Sequence, residues 1–484
     1  MARMPISGRH TFHWASRTHG DFKFWRNLMT RPDGSLRWTF EVNPSSKFRV
    51  VVTADPENVK AVLATRFSDF GKGADFHDVF ESLFGEGIFS VDGQEWQAAR
   101  KLMRPLFSKD RLVDTTVFEK HTQRLISALG GSRNFPPDNR VVDIQPILYD
   151  FTLDASVDYL VGYDMASIVK ETEFSEAFDY LRHRVGVFMR AQHFSRFMSH
   201  KMYNQFLRVV EDFARPFIQQ TLSTVKEGSD KKLADGESFI DSLARFTRNP
   251  KEIRDQLVSI LIAGRDTTAV TISFCLFELS RRPDIVKRLR EEIKTTFGKR
   301  LPTYRELKDM RYLTWVLNET LRLYPTIPFN VRSTLRDSSL PHGGGPDGNE
   351  PVGVLAGTRI IYSVMDTQRR VDLYPTPEEC EAEKMPYYDP LHFVPERWEH
   401  WHPKPWTFFP FSGGPRICIG QQFAMTEAAY TVVRILQHYS QIKGLNAPPP
   451  GVDPDFTFDI TLGTQQPMNC LFIAEDEDRA IDDS

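Results

Sequence analysis

The spacing of apolar positions divides the chain into a long helical stretch and a shorter region of strands and turns. Near the N-terminus, FRVVVTAD reads as a short strand, and DPENVKAVL after it reads as a helix. Asp55 can cap that helix, with Pro56 at its first position, where a missing N–H costs nothing. Residues 70–92 hold Phe70, Phe76, Phe80, Phe84 and Phe89 among glycines with little clean periodicity. A long loop is expected there, burying its apolar side chains against the core or a ligand. From Gln94 to about Arg282 the apolar spacing is helical, broken by the polar linker KEGSDKKLADGE at residues 226–237. Two further helices are predicted, at about Pro283–Phe297 and Arg305–Leu323, the second stopped at Tyr324 and Pro325. Short strands and turns follow, including the glycine run HGGGPDG (His342–Gly348). The pattern predicts a mainly α fold with a smaller β-rich portion and no internal repeat.

One helical segment is apolar enough to resemble a membrane span: LVSILIAGRDTTAVTISFCLFEL, Leu257–Leu279. Arg265 and Asp266 at its centre, with threonines close by, make a lipid-exposed span costly. A helix through the protein core is the better reading, and its polar centre then needs a purpose.

Composition narrows the classes. Hydrophobic residues make up 40% and charged residues 26% of 484 positions, an ordinary globular balance, and the net charge of −3 argues against nucleic-acid binding. The four cysteines, Cys275, Cys380, Cys418 and Cys470, are far apart, with no CxxC spacing and no disulfide framework. No secretory signal precedes the first predicted strand. Six acids and one base among the last twelve residues mark an acidic tail.

Cys418 stands in FPFSGGPRICIG, Phe409–Gly420. Three readings are open to it: a buried cysteine acting as a small hydrophobe, a nucleophile, or a metal-bound thiolate. The glycines at 413, 414 and 420 favour the third, because they let the backbone turn sharply and approach a flat ligand. Arg416 would face anionic groups on that ligand, and Phe411 would wall the sulfur from water. These are the needs of a cysteine-ligated haem.

The loop resembles the FxxGxRxCxG signature of the cytochrome P450 superfamily at every fixed position: Phe411, Gly414, Arg416, Cys418 and Gly420. Three further motifs appear in the family's order. ETLR (Glu319–Arg322), taken alone, is a common i,i+3 ion pair. With PERW (Pro395–Trp398), the resemblance implies a buried structural cluster of Glu319, Arg322 and Arg397. AGRDTT (Ala263–Thr268) sits mid-helix, where threonine back-bonding and a kink are the plain alternative. The resemblance implies a helix that opens locally at Gly264 and Thr267, with Asp266 and Thr267 relaying protons during oxygen activation. WQAAR places Trp96 and Arg100 on one helix face. The resemblance implies haem-propionate contacts there and at Arg332, against exposed or snorkelling side chains as the alternative.

The fold implied is that of the P450 family, with haem held between a long central helix and a cysteine loop. The bounds expected are an N-terminal segment at 1–47, the catalytic domain at 48–472 and the acidic tail at 473–484. DPENVKAVLATRFSDFGKG, GIFSVDGQEWQAARKLMRPLF and the LPHGGGPDG insertion resemble the fungal branch that hydroxylates alkanes and fatty acids. This implies a monooxygenase acting on a long apolar chain near its terminal carbon. Phe84, Phe89, Leu261, Ile327 and Phe329 stand where relatives contact substrate, with a core role as the alternative for each. Implied partners are dioxygen, a small apolar substrate and an NADPH–cytochrome P450 reductase. Lys101 and Arg104 are candidates for a docking face, or an ordinary solvated surface. The family's anchor is missing from the start, so a membrane-surface, a cytoplasmic and an N-terminally incomplete protein are all open. Some relatives esterify haem through a glutamate where Ala263 stands here, so non-covalent haem b is expected. Two other functions stay open: tailoring the alkyl or polyketide chain of a secondary metabolite, and hydroperoxide isomerase or lyase chemistry.

Overall fold

Five strands form one mixed sheet, and the valine-rich strand lies inside it, as its apolar run predicts. The computed structural model describes residues 26–31, 34–45, 48–107, 113–130, 141–170, 172–191, 198–225 and 238–474. The linker at 226–237 and almost all of the acidic tail lie outside the described residues, as does most of the N-terminal segment. The chain divides into two units, one β-rich and one helical.

The β-rich unit comprises the chain up to His77, Asn318–Cys418 and Gly451–Gln466. Thr39–Ser45 pairs antiparallel with Phe48–Thr53, which pairs parallel with Arg359–Ser363 (Val51 opposite Ile360). Phe329–Thr334 then runs antiparallel to Arg359–Ser363 and is flanked by the short strand Phe70–Gly71. Helix Pro56–Lys60 begins as expected: the Asp55 carboxylate accepts from the N–H groups of Glu57 and Asn58, and Pro56 fills the first turn. It continues as a π-helical turn at Ala61–Thr65. Val51, Val59, Val62, Leu63, Ile360, Tyr362 and Phe409 form the core beneath.

The helical unit comprises Asp78–Leu317, Ile419–Pro450 and the chain from Pro467. Its axis is the helix Pro250–Leu279, capped by Asn249, whose side chain accepts from the N–H of Lys251. This helix is long and apolar enough to cross a membrane, yet most of it is buried inside the protein. Helices Ile144–Val161, Lys201–Thr224 and Gln421–His438 pack on it. A three-stranded sheet joins Val142–Asp143, Asn469–Ala474 and Tyr439–Gly444.

Two expectations are corrected. The segment expected as a loop at 70–92 contains the helix Ala74–Phe84. Phe76, Phe80 and Phe84 recur every fourth residue, a helical stripe masked by glycines on both sides, and Phe80 stacks on Phe84 at 5.5 Å. The helix expected at Arg305–Leu323 is two, Tyr304–Asp309 and Arg311–Leu323. They part at Met310, whose ψ of 104° is extended. Thr303 and Glu306 form a complete capping box for the first, a start signal that stands apart from the apolar spacing.

Candidate active site: a cysteine loop and a polar turn

In the β-rich unit the cysteine loop has little freedom. Gly414 has φ +65°, and a Cβ there would lie 1.9 Å from the carbonyl oxygen of Leu63. Only glycine fits, because the loop rests directly on the backbone of the π-helical turn. A Cβ at Gly413 would fall 2.4 Å from the Trp406 ring. The N–H of Cys418 donates to Phe411 O at 3.0 Å, and that of Ile417 to Gly414 O at 3.1 Å, closing the loop on itself. Cys275, Cys380 and Cys470 are buried, whereas Cys418 is exposed. The reading of Cys418 as a buried small hydrophobe therefore fails. An exposed sulfur on backbone that cannot widen fits the thiolate ligand that the sequence implies. Phe411 and Arg416 are half-buried in the same loop.

The Glu319 carboxylate, fully buried, gathers Arg322 and Arg397. Arg322 donates through Nε (2.7 Å) and Nη2 (2.9 Å), and Arg397 through Nε (2.9 Å). Trp398 Nε1 (3.0 Å) and the N–H of Val394 (2.8 Å) complete five donors on one carboxylate. Burial alone would raise its pKa, but the two guanidiniums and these hydrogen bonds hold it below the usual 4.5. The surplus positive charge is met by main-chain carbonyls: Pro390 and His392 accept from Arg322, and Tyr388, Asp389 and His392 from Arg397. Gln368 ties this cluster to the cysteine loop. Its Nε2 donates to Leu321 O and Arg322 O, and its Oε1 accepts from the N–H of Phe409. Arg332 is buried on the strand Phe329–Thr334, donating to Val331 O at 2.8 Å. Phe329 is buried against Phe458, and Ile327 is half-buried.

In the helical unit, Trp96 and Arg100 lie on the helix Gly93–Met103, with the guanidinium 5.7 Å from the indole. Lys101 and Arg104 are exposed. Asp266 is buried at the centre of a charged network. Arg265 Nη1 stands 3.1 Å from its Oδ1 and 2.7 Å from Asp179 Oδ1, and Arg182 Nε lies 3.5 Å from Asp266 Oδ2. The Arg265 guanidinium also lies over Tyr149 at 5.0 Å. Burial, the largest influence, raises the Asp266 pKa, while Arg182 and Arg265 pull against it. An acid poised between these pulls is suited to passing a proton.

The local opening expected at Gly264 and Thr267 is absent, and the helix is continuous through this turn. Thr267 Oγ1 donates to Ala263 O at 2.7 Å, and Thr152 Oγ1 donates to Arg265 O at 2.9 Å. Gly264 serves close packing instead, since a Cβ would come 2.9 Å from Ser156 Oγ on the helix Ile144–Val161.

The apolar segment after Phe84 is clamped to this same central helix, which the sequence reading missed. Asp255 Oδ2 accepts from the N–H of Glu86 (2.9 Å), Gln256 Oε1 from the N–H of Ile88 (3.3 Å), and Arg254 donates to Leu83 O (3.1 Å). Gly85, at φ +53°, is required because a Cβ would sit inside the Asp255 carboxylate, 2.1 Å from its carbon. Gly85 and Gly87 were the available signal. Phe84 and Leu261 are buried, while Phe89 is 38% exposed and meets the Phe84 ring edge-on at 5.8 Å.

The cytochrome P450 family model matches residues 38–465. The cytochrome P450 monooxygenase pvhE of Talaromyces variabilis is 43% identical over 97% of this chain and 87% of its own. Cytochrome P450 52A13 of Debaryomyces hansenii is 38% identical over 81% of this chain and 76% of its own. The cytochrome P450 monooxygenase fsdH of Fusarium heterosporum is 34% identical over 92% and 79% respectively.

Proposed function

The chain belongs to the cytochrome P450 family, and on that premise we propose that it hydroxylates a long apolar chain, a fatty acid or alkane, at or near the terminal carbon. The observation that carries the chemistry is the exposed Cys418 in a loop pinned by Gly414 against Leu63. Haem iron, when bound, supplies oxygen activation with electrons delivered by a reductase. Cys418 would hold the iron of that group through its thiolate. Arg416, Arg332, Arg100 and Trp96 would supply positive charge and N–H donors for that group's carboxylates, and Phe411 would shield the sulfur from water. Asp266 and Thr267 hold and pass protons: the acid takes them up within its network, and the hydroxyl delivers them. Ala263 offers no carboxylate for an ester, which supports non-covalent haem b. NADPH is the proposed electron source, through a separate reductase for which exposed Lys101 and Arg104 offer a basic face.

The clamped aromatic segment around Phe84 and Phe89, with Leu261, supports an apolar substrate. A second reading is the tailoring of an alkyl or polyketide chain on a larger metabolite, kept because the likeness to the cytochrome P450 52A proteins, at 38% or less, does not exceed that to the monooxygenase pvhE, at 43%. The test begins with the carbon monoxide difference spectrum of the reduced protein, where a strongly red-shifted Soret band is expected and its loss in Cys418→Ala. Incubation with fatty acids and alkanes of graded length should give terminal or near-terminal alcohols. No turnover of these, with turnover of an alkyl-bearing polyketide, would select the second reading. Thr267→Ala should keep the spectrum and divert reducing equivalents to hydrogen peroxide. Haem should leave the protein intact in acidic organic solvent.

A further inference from the structure

The mixed sheet of the β-rich unit carries two arginines on opposite faces. Arg332 stands opposite Ile360, on the face whose Val51, Ile360 and Tyr362 pack into the core. Arg359 stands opposite Ser333, and along the same two strands Val331 pairs with Ile361 and Phe329 with Ser363. Side chains alternate along a strand and directly paired residues share a face. Phe329, Val331, Ile361, Ser333 and Arg359 therefore line the face away from Arg332. Phe329 is buried, while Val331 and Ile361 are half-buried. They make an apolar strip that runs four residues, about 13 Å, from Phe329 to Ser333 and ends on the Arg359 cation.

The Arg359 side chain is only 17% exposed, yet its hydrogen bond is a long one, 3.3 Å to Asp75 Oδ2. Asp75 itself is 43% exposed, in the first turn of the helix Ala74–Phe84. Burial, the largest influence, holds the guanidinium pKa below its ordinary value although Asp75 pulls the other way. The cation is thus short of negative charge. Arg397 is lowered in the same way, but Glu319 and three main-chain carbonyls surround it. Cations close by along the chain have their own acids: Arg49 Nε lies 3.0 Å from Glu41 and Arg336 Nε 2.6 Å from Asp69. The chain leading to Asp75 is pressed onto this end of the strip, since Gly71 pairs with Ser333 and a Cβ at Gly73 would come 2.7 Å from Ser333 Cβ.

We infer that Arg359 is the head-group residue of the substrate site, holding a carboxylate at one end of a long alkyl chain that lies along Val331 and Ile361 toward Phe329. This rests on the proposed hydroxylation of a long apolar chain and narrows it to chains that end in an acid. A guanidinium offers parallel N–H donors matched to the two oxygens of a carboxylate. An incoming carboxylate supplies the anion that Arg359 lacks, and Asp75 turns to the water it already meets. An alkane covers the same cation and returns nothing for its lost hydration. With the acid end fixed here, the reacting carbon is set by chain length at the other end. An alkyl-bearing polyketide with a carboxyl terminus presents the same head group, so the site serves either substrate reading.

The test is titration of the holoenzyme with palmitic acid, hexadecanol and hexadecane, followed by the shift of the Soret band. Wild type should bind the acid most tightly. Arg359→Gln should weaken palmitic acid roughly ten- to hundredfold, as expected for one lost charge-assisted contact, and move hexadecanol by less than about twofold. Arg359→Lys should restore part of the loss. Asp75→Asn, which removes the competing carboxylate, should tighten palmitic acid several-fold. If Arg359 only anchored the start of the helix Ala74–Phe84, both Arg359→Gln and Asp75→Asn would weaken acid and alcohol alike, and that result overturns the inference. So does indifference of palmitic acid to Arg359→Gln. If Arg359→Gln loses the carbon monoxide spectrum, Asp75→Asn decides: tighter palmitic acid supports the head-group site, and unchanged or weaker binding overturns it. Alcohol and alkane bound as tightly as the acid, and hydroxylated, would leave the long-chain reading standing and remove the head-group site. No binding of any of the three to wild type would remove both.

Discussion

Replacing Glu319 by glutamine changes one oxygen to an NH2 group and removes one charge from a fully buried site. With the amide oxygen in the Oε1 place, three donors keep their acceptor: Arg322 Nη2, the N–H of Val394 and Arg397 Nε. The NH2 then faces Arg322 Nε and Trp398 Nε1, two donors that were 2.7 and 3.0 Å from Oε2. The flipped amide is worse, facing three. Two guanidiniums are also left with no anion between them. Removing one partner of a buried pair costs roughly 3–5 kcal/mol, a large share of a net stability of roughly 5–15 kcal/mol. The assay is urea unfolding of the holoenzyme, followed by the Soret band and by far-ultraviolet circular dichroism, with the thiolate spectrum per mole of protein recorded first. Glu319→Gln should lose most of the thiolate spectrum, and any folded fraction should unfold at a clearly lower urea midpoint. Glu319→Asp, which keeps the charge and shortens the reach, should fall between. The acid dependence carries a sign. A carboxyl whose folded pKa is depressed below 4.5 contributes stability above that pH and loses it as pH falls through the folded value. Wild type should therefore show an acid-labile contribution that the glutamine variant lacks. A glutamine variant with a full thiolate spectrum and an unchanged urea midpoint would refute the reasoning.

Gly414→Ala should abolish the thiolate spectrum while leaving helical circular dichroism near wild type, because the new methyl falls 1.9 Å from Leu63 O at a φ of +65°. A normal spectrum would mean the π-helical turn can yield. Asp255→Ala leaves the N–H of Glu86 without its acceptor and loosens the segment carrying Ile88 and Phe89, so a broader spread of hydroxylation positions with an intact spectrum is expected. An unchanged product distribution would remove the clamp from any role in selectivity.

The residues legible in the sequence are those whose partners lie close along the chain. Arg416 and Gly414 stand beside Cys418, and Glu319 and Arg322 are one helical turn apart, so short motifs carry them. Asp266 was legible as an acid, but its partner Arg182, and the Asp179 that shares Arg265 with it, lie on a different helix and no local spacing announces them. The backing of Gly414 by the Leu63 carbonyl is a main-chain contact, which no side-chain pattern encodes. Helix Ala74–Phe84 was hidden by its flanking glycines. The unbroken turn at Gly264 reversed an expectation because the glycine meets a neighbouring helix at Ser156.

The helix Pro250–Leu279 carries both the clamp at Asp255 and the proposed proton-handling pair at Asp266 and Thr267. Their separation of eleven positions corresponds to about three turns, or ~16 Å, along one continuous rod. Inserting or deleting a single residue between them would rotate one group by about 100° relative to the other. Their phase is therefore fixed by length, while the segment hung from Asp255 can vary in sequence at positions other than Gly85 and Gly87. New selectivities can evolve by exchanging that segment, and the rod itself is where drift in length is least tolerated.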